Sequence, residues 1–296
     1  MVLRHFVRQW LGNLAQEKVH QTIVQTARDS VASAVEEAER DSTEPERRKC
    51  DVGVVFALGI EAGGFEDLLS EVVIIRGHLF TLRRGLAGSH RIVLAESGPG
   101  CAAAERATEA LIAAHQPDWI ISAGFAGGLS ETVKRHDLLL VNSVIGPGGS
   151  RIAVDLLVDP AALAGSPGVH VGGLVTSDRI IRLPDEKRTL GEESGALAVD
   201  METFAVAEVC LRRNVPLIAA RIIIDAAGDQ LPDDLERLAR QQTPVRKLGA
   251  VFGTVMNRPG SVKDMLQLKE NALLASDRLA GFLQSIIRQL TAPPPP

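Results

Sequence analysis

Val215-Pro216-Leu217-Ile218-Ala219-Ala220-Arg221-Ile222-Ile223-Ile224-Asp225 is an apolar run that carries a carboxylate at its C-terminal end. A strand of this kind keeps its body in the core and presents its last residue at the carboxyl edge of the sheet, where ligands of open α/β sheets bind. Just upstream, Val199-Asp200-Met201-Glu202-Thr203 places two more carboxylates where a strand meets a helix. Together the two stretches point to an enzyme acting on a small polar molecule.

Working outward, strands and helices alternate. Val52–Leu58 reads as a short apolar strand, followed by Gly59 and a helix through Leu69. Val72–Leu82 and Arg91–Ala95 read as strands, and Cys101–His115 as a helix. Trp119–Ser122 is a strand running into Gly124-Phe125-Ala126-Gly127-Gly128, and Leu138–Val144 is another. Gly173–Thr176 leads into Ser177-Asp178, and Phe204–Arg213 is a helix with apolar residues at 204, 207 and 211. Helices follow from Asp233. Alternation with glycines at the strand exits predicts an α/β fold, a three-layer sandwich with a central twisted mixed sheet and helices on both faces.

Four segments are expected. Residues 1–40 form an N-terminal amphipathic helical extension, because Leu3, Phe6, Val7, Trp10, Leu11 and Leu14 recur at helical spacing with Arg4 and Arg8 between them. It could pack on the main domain or a second subunit, or lie on an anionic membrane surface. Residues 41–50 are a charged linker around Pro45, residues 51–290 the α/β domain, and residues 291–296 a disordered proline tail.

Composition narrows the function. The 296-residue chain is 45% hydrophobic and 23% charged, ordinary for a soluble globular protein. A formal net charge of −5 supplies no global basic field, so no nucleic-acid partner is expected. Cys50, Cys101 and Cys210 are far apart and odd in number, which argues against a disulfide framework or a metal site. His115, His136 and His170 have no metal spacing and read as surface or packing residues. No apolar run reaches the roughly 20 residues of a membrane span, so the chain is expected to be cytoplasmic, peripheral at the inner membrane if its first 40 residues bind lipid.

Each acid has a plain structural reading beside the functional one. Asp200 and Glu202 could simply complement the positive end of a helix, and Asp225 could be a helix cap. Burial beside isoleucines would instead raise the Asp225 pKa and suit it to general acid work. Glu61, just after the first strand, would alone be a solvated helix residue. Gly98-Pro99-Gly100 could be a turn, or could let backbone amides approach a ligand at a helix start. Gly127 and its neighbours allow the same at the next strand exit. There is no GxGxxG fingerprint and no P-loop, so no dinucleotide or other cofactor is expected.

In order and spacing, Val54-Val55-Phe56-Ala57-Leu58…Glu61, Ser97-Gly98-Pro99-Gly100, Ser122 to Leu129, Thr176-Ser177-Asp178, Ala198 to Glu202 and Arg221 to Ala227 resemble the nucleoside phosphorylase/nucleosidase superfamily, especially methylthioadenosine/S-adenosylhomocysteine nucleosidases. The resemblance covers about Asp51 to Asp225. It implies that Asp225 gives or relays a proton to N7 of a purine, and that Glu202 holds the ribose hydroxyls and stabilises the sugar cation. Met201 would pack under the sugar, and Glu61 would deprotonate the attacking water. Ser97 with the Gly98–Gly100 backbone would help place that water and the sugar. Phe125, Gly127, Asp178, Ile180 and Asp200 complete the expected substrate-binding set.

The sequence departs from these nucleosidases in having Asp200 where they carry Glu, and Arg179, Ile180 and Ile181 where they carry a stacking phenylalanine. Gly195 to Thr203 and Asp225 to Pro232 also resemble hopanoid-associated nucleosidases, which cleave adenine from adenosylhopane. The expected function is therefore hydrolysis of the N-glycosidic bond of a 5′-modified adenosine, by a homodimer, without metal or cofactor. Two rivals stay open: a phosphate-dependent phosphorylase, and a non-catalytic nucleoside-binding protein on the same fold. Glu61 and the absence of a hydroxyl in Cys101-Ala102-Ala103-Ala104 favour water over phosphate.

Overall fold

The computed structural model describes residues 49–156, 166–231 and 262–290, with side chains of the last segment described from Glu270. The expected N-terminal helix, nearly all of the linker, the helices expected from Asp233 as far as residue 261, and the proline tail lie outside the described residues.

In chain order the elements are β1 (Val52–Phe56), α1 (Gly59–Glu66), β2 (Ser70–Arg76), β3 (Thr81–Ala87), β4 (His90–Glu96), α2 (Cys101–His115), β5 (Trp119–Gly128), β6 (Leu138–Ile145), β7 (Arg151–Ala153), β8 (Val169–Thr176), α3 (Pro184–Ser194), β9 (Ala198–Asp200), α4 (Thr203–Arg213), β10 (Leu217–Asp225) and α5 (Val262–Leu290). The expected single strand over Val72–Leu82 is instead the hairpin of β2 and β3. The amide of Gly77 donates to the Phe80 carbonyl across the turn. Apolar residues on both sides of Arg76-Gly77-His78 concealed that turn. The three-residue strand β7 and the polar helix α3 have no counterpart in the sequence reading, while β9 is the strand expected to meet a helix at Val199-Asp200.

All the strands belong to one mixed sheet with helices on both faces. Side chains alternate across β1 as a pleated strand requires. Val52, Val54 and Phe56 pack with Ala275, Leu279, Leu283 and Ile287 of α5. Val55 faces the other way, toward Leu111 of α2 and Val206 and Val209 of α4. Burying each such side chain stabilises the fold by about 1.5–3 kcal/mol.

Strand β5 organises the site. Its first half pairs in parallel with β1, from Val52↔Trp119 to Val55↔Ser122. Its last residues pair with β9 instead, Gly127↔Val199 and Gly128↔Ala198. Along its other edge it pairs with β10 throughout. Strands β5, β10, β6, β8 and β9 thereby close on themselves, while β1, β4, β3 and β2 continue as an open wing. Between Ser122 and Gly127 one edge of β5 has left β1 and not yet met β9, and its backbone there is available to side chains.

Candidate active site

The gap opened by β5 is a cavity. Val55, Phe56 and Ala57 line it from the end of β1, Ser97 from the end of β4, and Ser122 to Phe125 from β5, with Glu61, Glu202, Val206 and Arg221 completing the wall.

Glu61 sits in the first turn of α1 and is buried. Its Oε2 accepts from the amides of Ala57 (3.1 Å) and Leu58 (2.9 Å), and its Oε1 from the amide of Phe125 (3.0 Å). The Phe125 amide is one of those that β5 no longer shares with β1. Glu61 is thus a buried acid that caps the start of α1, not the solvated helix residue of its plain reading, and it is also a wall of the cavity. Burial raises its pKa, while these amides and the Arg221 charge act against that. Ser276 of α5 braces the turn: its hydroxyl donates to the Glu61 carbonyl and accepts from the Gly64 amide. A Cβ at Gly124 would lie 3.0 Å from Glu61 Oε1, so only glycine leaves the carboxylate its place.

Glu202 is the residue before α4. Its Oε1 accepts from the Gly100 amide at 2.6 Å, and its Oε2 from the Met201 amide at 3.2 Å. Gly100 adopts φ +89°, a conformation that favours glycine. Burial, and then the charge of Asp200, push Glu202 up to about 8. The Gly98 amide donates to the Ala57 carbonyl, so both glycine amides of this turn are engaged within the protein. Ser97 is buried, its hydroxyl 2.7 Å from the Gly98 carbonyl.

Asp200 does not line the cavity. Its Oδ1 accepts from Thr176 Oγ1 at 2.7 Å. Its Oδ2 accepts from the Thr203 amide and hydroxyl and from Arg221 Nε and Nη2, at 3.2 and 2.9 Å for the arginine. Arg221 Nη2 also donates to Ser122 Oγ at 2.9 Å. Arg221, buried in mid-strand β10, is the cavity's one cation among the described residues. The sequence reading quoted it as part of a motif without giving it a role. Its position inside an apolar run was the available signal, because a buried guanidinium demands a carboxylate partner.

Asp225 ends β10, buried, opposite Gly127 in the strand register. It is outside the wall of the Glu61–Glu202 cavity, about 10 Å further along β5 at 3.4 Å per residue, judged from the glycine each acid abuts. A Cβ at Gly127 would lie 3.1 Å from Asp225 Oδ2. That oxygen accepts from Lys187 Nζ at 2.5 Å. Burial raises the Asp225 pKa and the Lys187 cation opposes the rise. Lys187 was missed from sequence: it lies in the polar stretch Pro184-Asp185-Glu186-Lys187-Arg188, to which the sequence reading assigns no element, and no local signal marks one lysine of it as fully buried.

The remaining expected residues are spread. Phe125 lines the cavity. Met201 is half-buried, its carbonyl accepting from Cys101 Sγ. Asp178 is exposed and Ile180 half-buried, and neither lines the cavity. His115 is a packing residue: burial, and then the charge of Arg84, push it down to about 4. Among the described residues no group of three or more His, Cys, Asp or Glu could hold a metal ion. No helix among them is long and apolar enough to cross a membrane.

A mixed sheet partly closed on itself, with acids at the carboxyl ends of its central strands, defines an α/β protein built to hold a small polar ligand. The chain belongs to the phosphorylase superfamily, whose family model matches residues 51–253. It is 28% identical over 209 residues to the 5′-methylthioadenosine/S-adenosylhomocysteine nucleosidase of Tolumonas auensis, covering 62% of this chain and 90% of that one. To the nucleosidase of the same name from Colwellia psychrerythraea it is 24% identical over 238 residues, 69% of this chain and 98% of that one. Among solved structures it is similar to the Helicobacter pylori nucleosidase of that name, with TM-score 0.62, 20% identity, and coverage of 82% of this chain and 99% of that one. A futalosine hydrolase mutant of Helicobacter pylori gives TM-score 0.62 at 18% identity, with 81% and 99% covered.

Proposed function

We propose that this chain hydrolyses the N-glycosidic bond of a 5′-modified adenosine and releases adenine. One observation carries the choice of water over phosphate. Two carboxylates, Glu61 and Glu202, line one cavity, and its single cation among the described residues, Arg221, is matched by Asp200. Such a cavity offers a phosphate dianion no unmatched cation and accepts a water molecule. The names of the relatives support the substrate class.

In this mechanism the water stands beside Glu61, which takes its proton as the oxygen bonds to the anomeric carbon. Glu202 accepts hydrogen bonds from the ribose hydroxyls and faces the positive charge that grows on the sugar. Asp225 supplies a proton to N7 of the base, so the C–N bond breaks with its electron pair leaving on a neutral adenine. A stabilised sugar cation and a protonated leaving group are the two requirements of glycoside cleavage.

The identity of the 5′ group follows from a panel: methylthioadenosine, S-adenosylhomocysteine, futalosine and an adenosine with a long apolar 5′ chain, with release of the free base measured for each. Running the panel with and without inorganic phosphate decides the reaction. Equal rates with free sugar as product support hydrolysis; strict phosphate dependence overturns it. The homodimer and a membrane role for residues 1–40 rest on the sequence alone. Analytical ultracentrifugation tests the first, and liposome flotation with and without those residues tests the second.

A further inference from the structure

Lys187 lies on α3 with no exposed surface. Its Nζ donates to Asp225 Oδ2 (2.5 Å) and to the carbonyls of Ala226 (2.9 Å) and Asp229 (2.9 Å). Three acceptors match the three donors of an ammonium group. A neutral amine would turn its lone pair on one of these oxygens. The geometry therefore fixes a cation against the acid at the end of β10.

A buried ion pair is weak evidence for stability, since its desolvation offsets much of its attraction. Its placement is more telling. Asp225 is pinned between Lys187 on one side and Gly127 on the other, where even a methyl group would crowd the same Oδ2. The other charges near Asp225 are Asp229, which follows β10, and Arg135, from the connection between β5 and β6. Those two are paired with each other at 2.7 Å, which leaves Lys187 as the cation in direct contact with Asp225.

We infer that Lys187 is a positioning residue for Asp225: it clamps one carboxyl oxygen, leaves the other to meet the base, and keeps the desolvated acid able to release its proton. Without the cation, a carboxyl in this setting holds its proton too tightly to give it up near neutral pH. The inference rests on the reading of Asp225 as proton donor, and it needs no covalent step of its own.

The test uses full-length Lys187→Met and Lys187→Gln, each with Asp225 intact and with Asp225→Asn. Adenine release is followed across pH. With Asp225 intact, kcat should fall about 10- to 100-fold, the scale for a misplaced catalytic group. The limb of the pH profile that vanishes in Asp225→Asn should move up by a pH unit or more. In the Asp225→Asn background, losing Lys187 should change the rate less than about twofold, because the residues act as one unit. An unmoved limb, or equal losses in both backgrounds, overturns the inference.

A second measurement covers variants that do not fold. The carboxyl infrared band of wild-type protein minus that of Asp225→Asn reports protonation of Asp225 directly. Titration below the pH of about 8–9 known for buried, unpaired carboxyls supports the clamp; a protonated band persisting above that range rejects it. This readout requires no turnover. Absence of base release from every nucleoside would defeat the functional reading, while the band would still report whether Lys187 governs Asp225.

Discussion

Arg221 and Asp200 form a buried two-point ion pair, guanidinium Nε and Nη2 on one carboxylate oxygen, that joins β10 to the end of β9. Thr176 and Thr203 take up the remaining acceptor capacity of Asp200. The pair ties together the strand that ends in Asp225 and the turn that carries Glu202. It also leaves the cavity wall without an unmatched positive charge.

Arg221→Met should destabilise the fold by about 3–5 kcal/mol, because it strands the buried Asp200 carboxylate. Urea denaturation of the variant and the wild type measures this directly. A loss under 1 kcal/mol would show that Asp200 finds water or another partner.

Asp225→Asn should lower turnover by about two to four orders of magnitude, the range for losing a general acid, with nucleoside binding largely kept. Single-turnover adenine release and equilibrium binding separate the two effects. Unchanged turnover would remove Asp225 from the chemistry.

Glu61→Gln should lower turnover over the same range. It should also cost about 1–3 kcal/mol of stability, because one amide oxygen cannot serve the Ala57, Leu58 and Phe125 donors together. Thermal melting alongside the assay distinguishes a folded, inactive variant from an unfolded one.

Gly127→Ala should reduce kcat about 10- to 100-fold while the protein stays folded. The new methyl would stand 3.1 Å from Asp225 Oδ2 and must displace it by a few tenths of an ångström. A kcat equal to wild type would mean that Asp225 is less constrained than its two neighbours imply.

Glu202 has a folded-state pKa raised from 4.5 to about 8. Between those values the native state holds a proton that the unfolded chain has released, so this residue makes stability fall as pH rises through the window. Glu202→Gln should flatten the decline in unfolding free energy between about pH 4.5 and 8. Denaturation at pH 5 and pH 8 checks the sign; a steeper decline in the variant would contradict it.

The chain itself determined the class of fold and the identity of the acids. Short apolar runs bounded by turn residues, such as Val52–Phe56 and Leu217–Ile224, read as buried strands, and an acid closing such a run is expected at the sheet edge. Glycines beside Phe125 announced a close backbone approach. These are local consequences of hydrophobicity and sterics, so they can be read in one dimension. The tertiary structure alone decided which charges meet. Asp200 faces Arg221 from 21 residues away and Lys187 meets Asp225 across 38, pairings that strand register and helix docking create. It also set Glu61 and Glu202 in one cavity by parting β5 from β1 before it joins β9, and placed Asp178 and Ile180 off that wall. A charge in sequence carries no address; burial and its partner supply one.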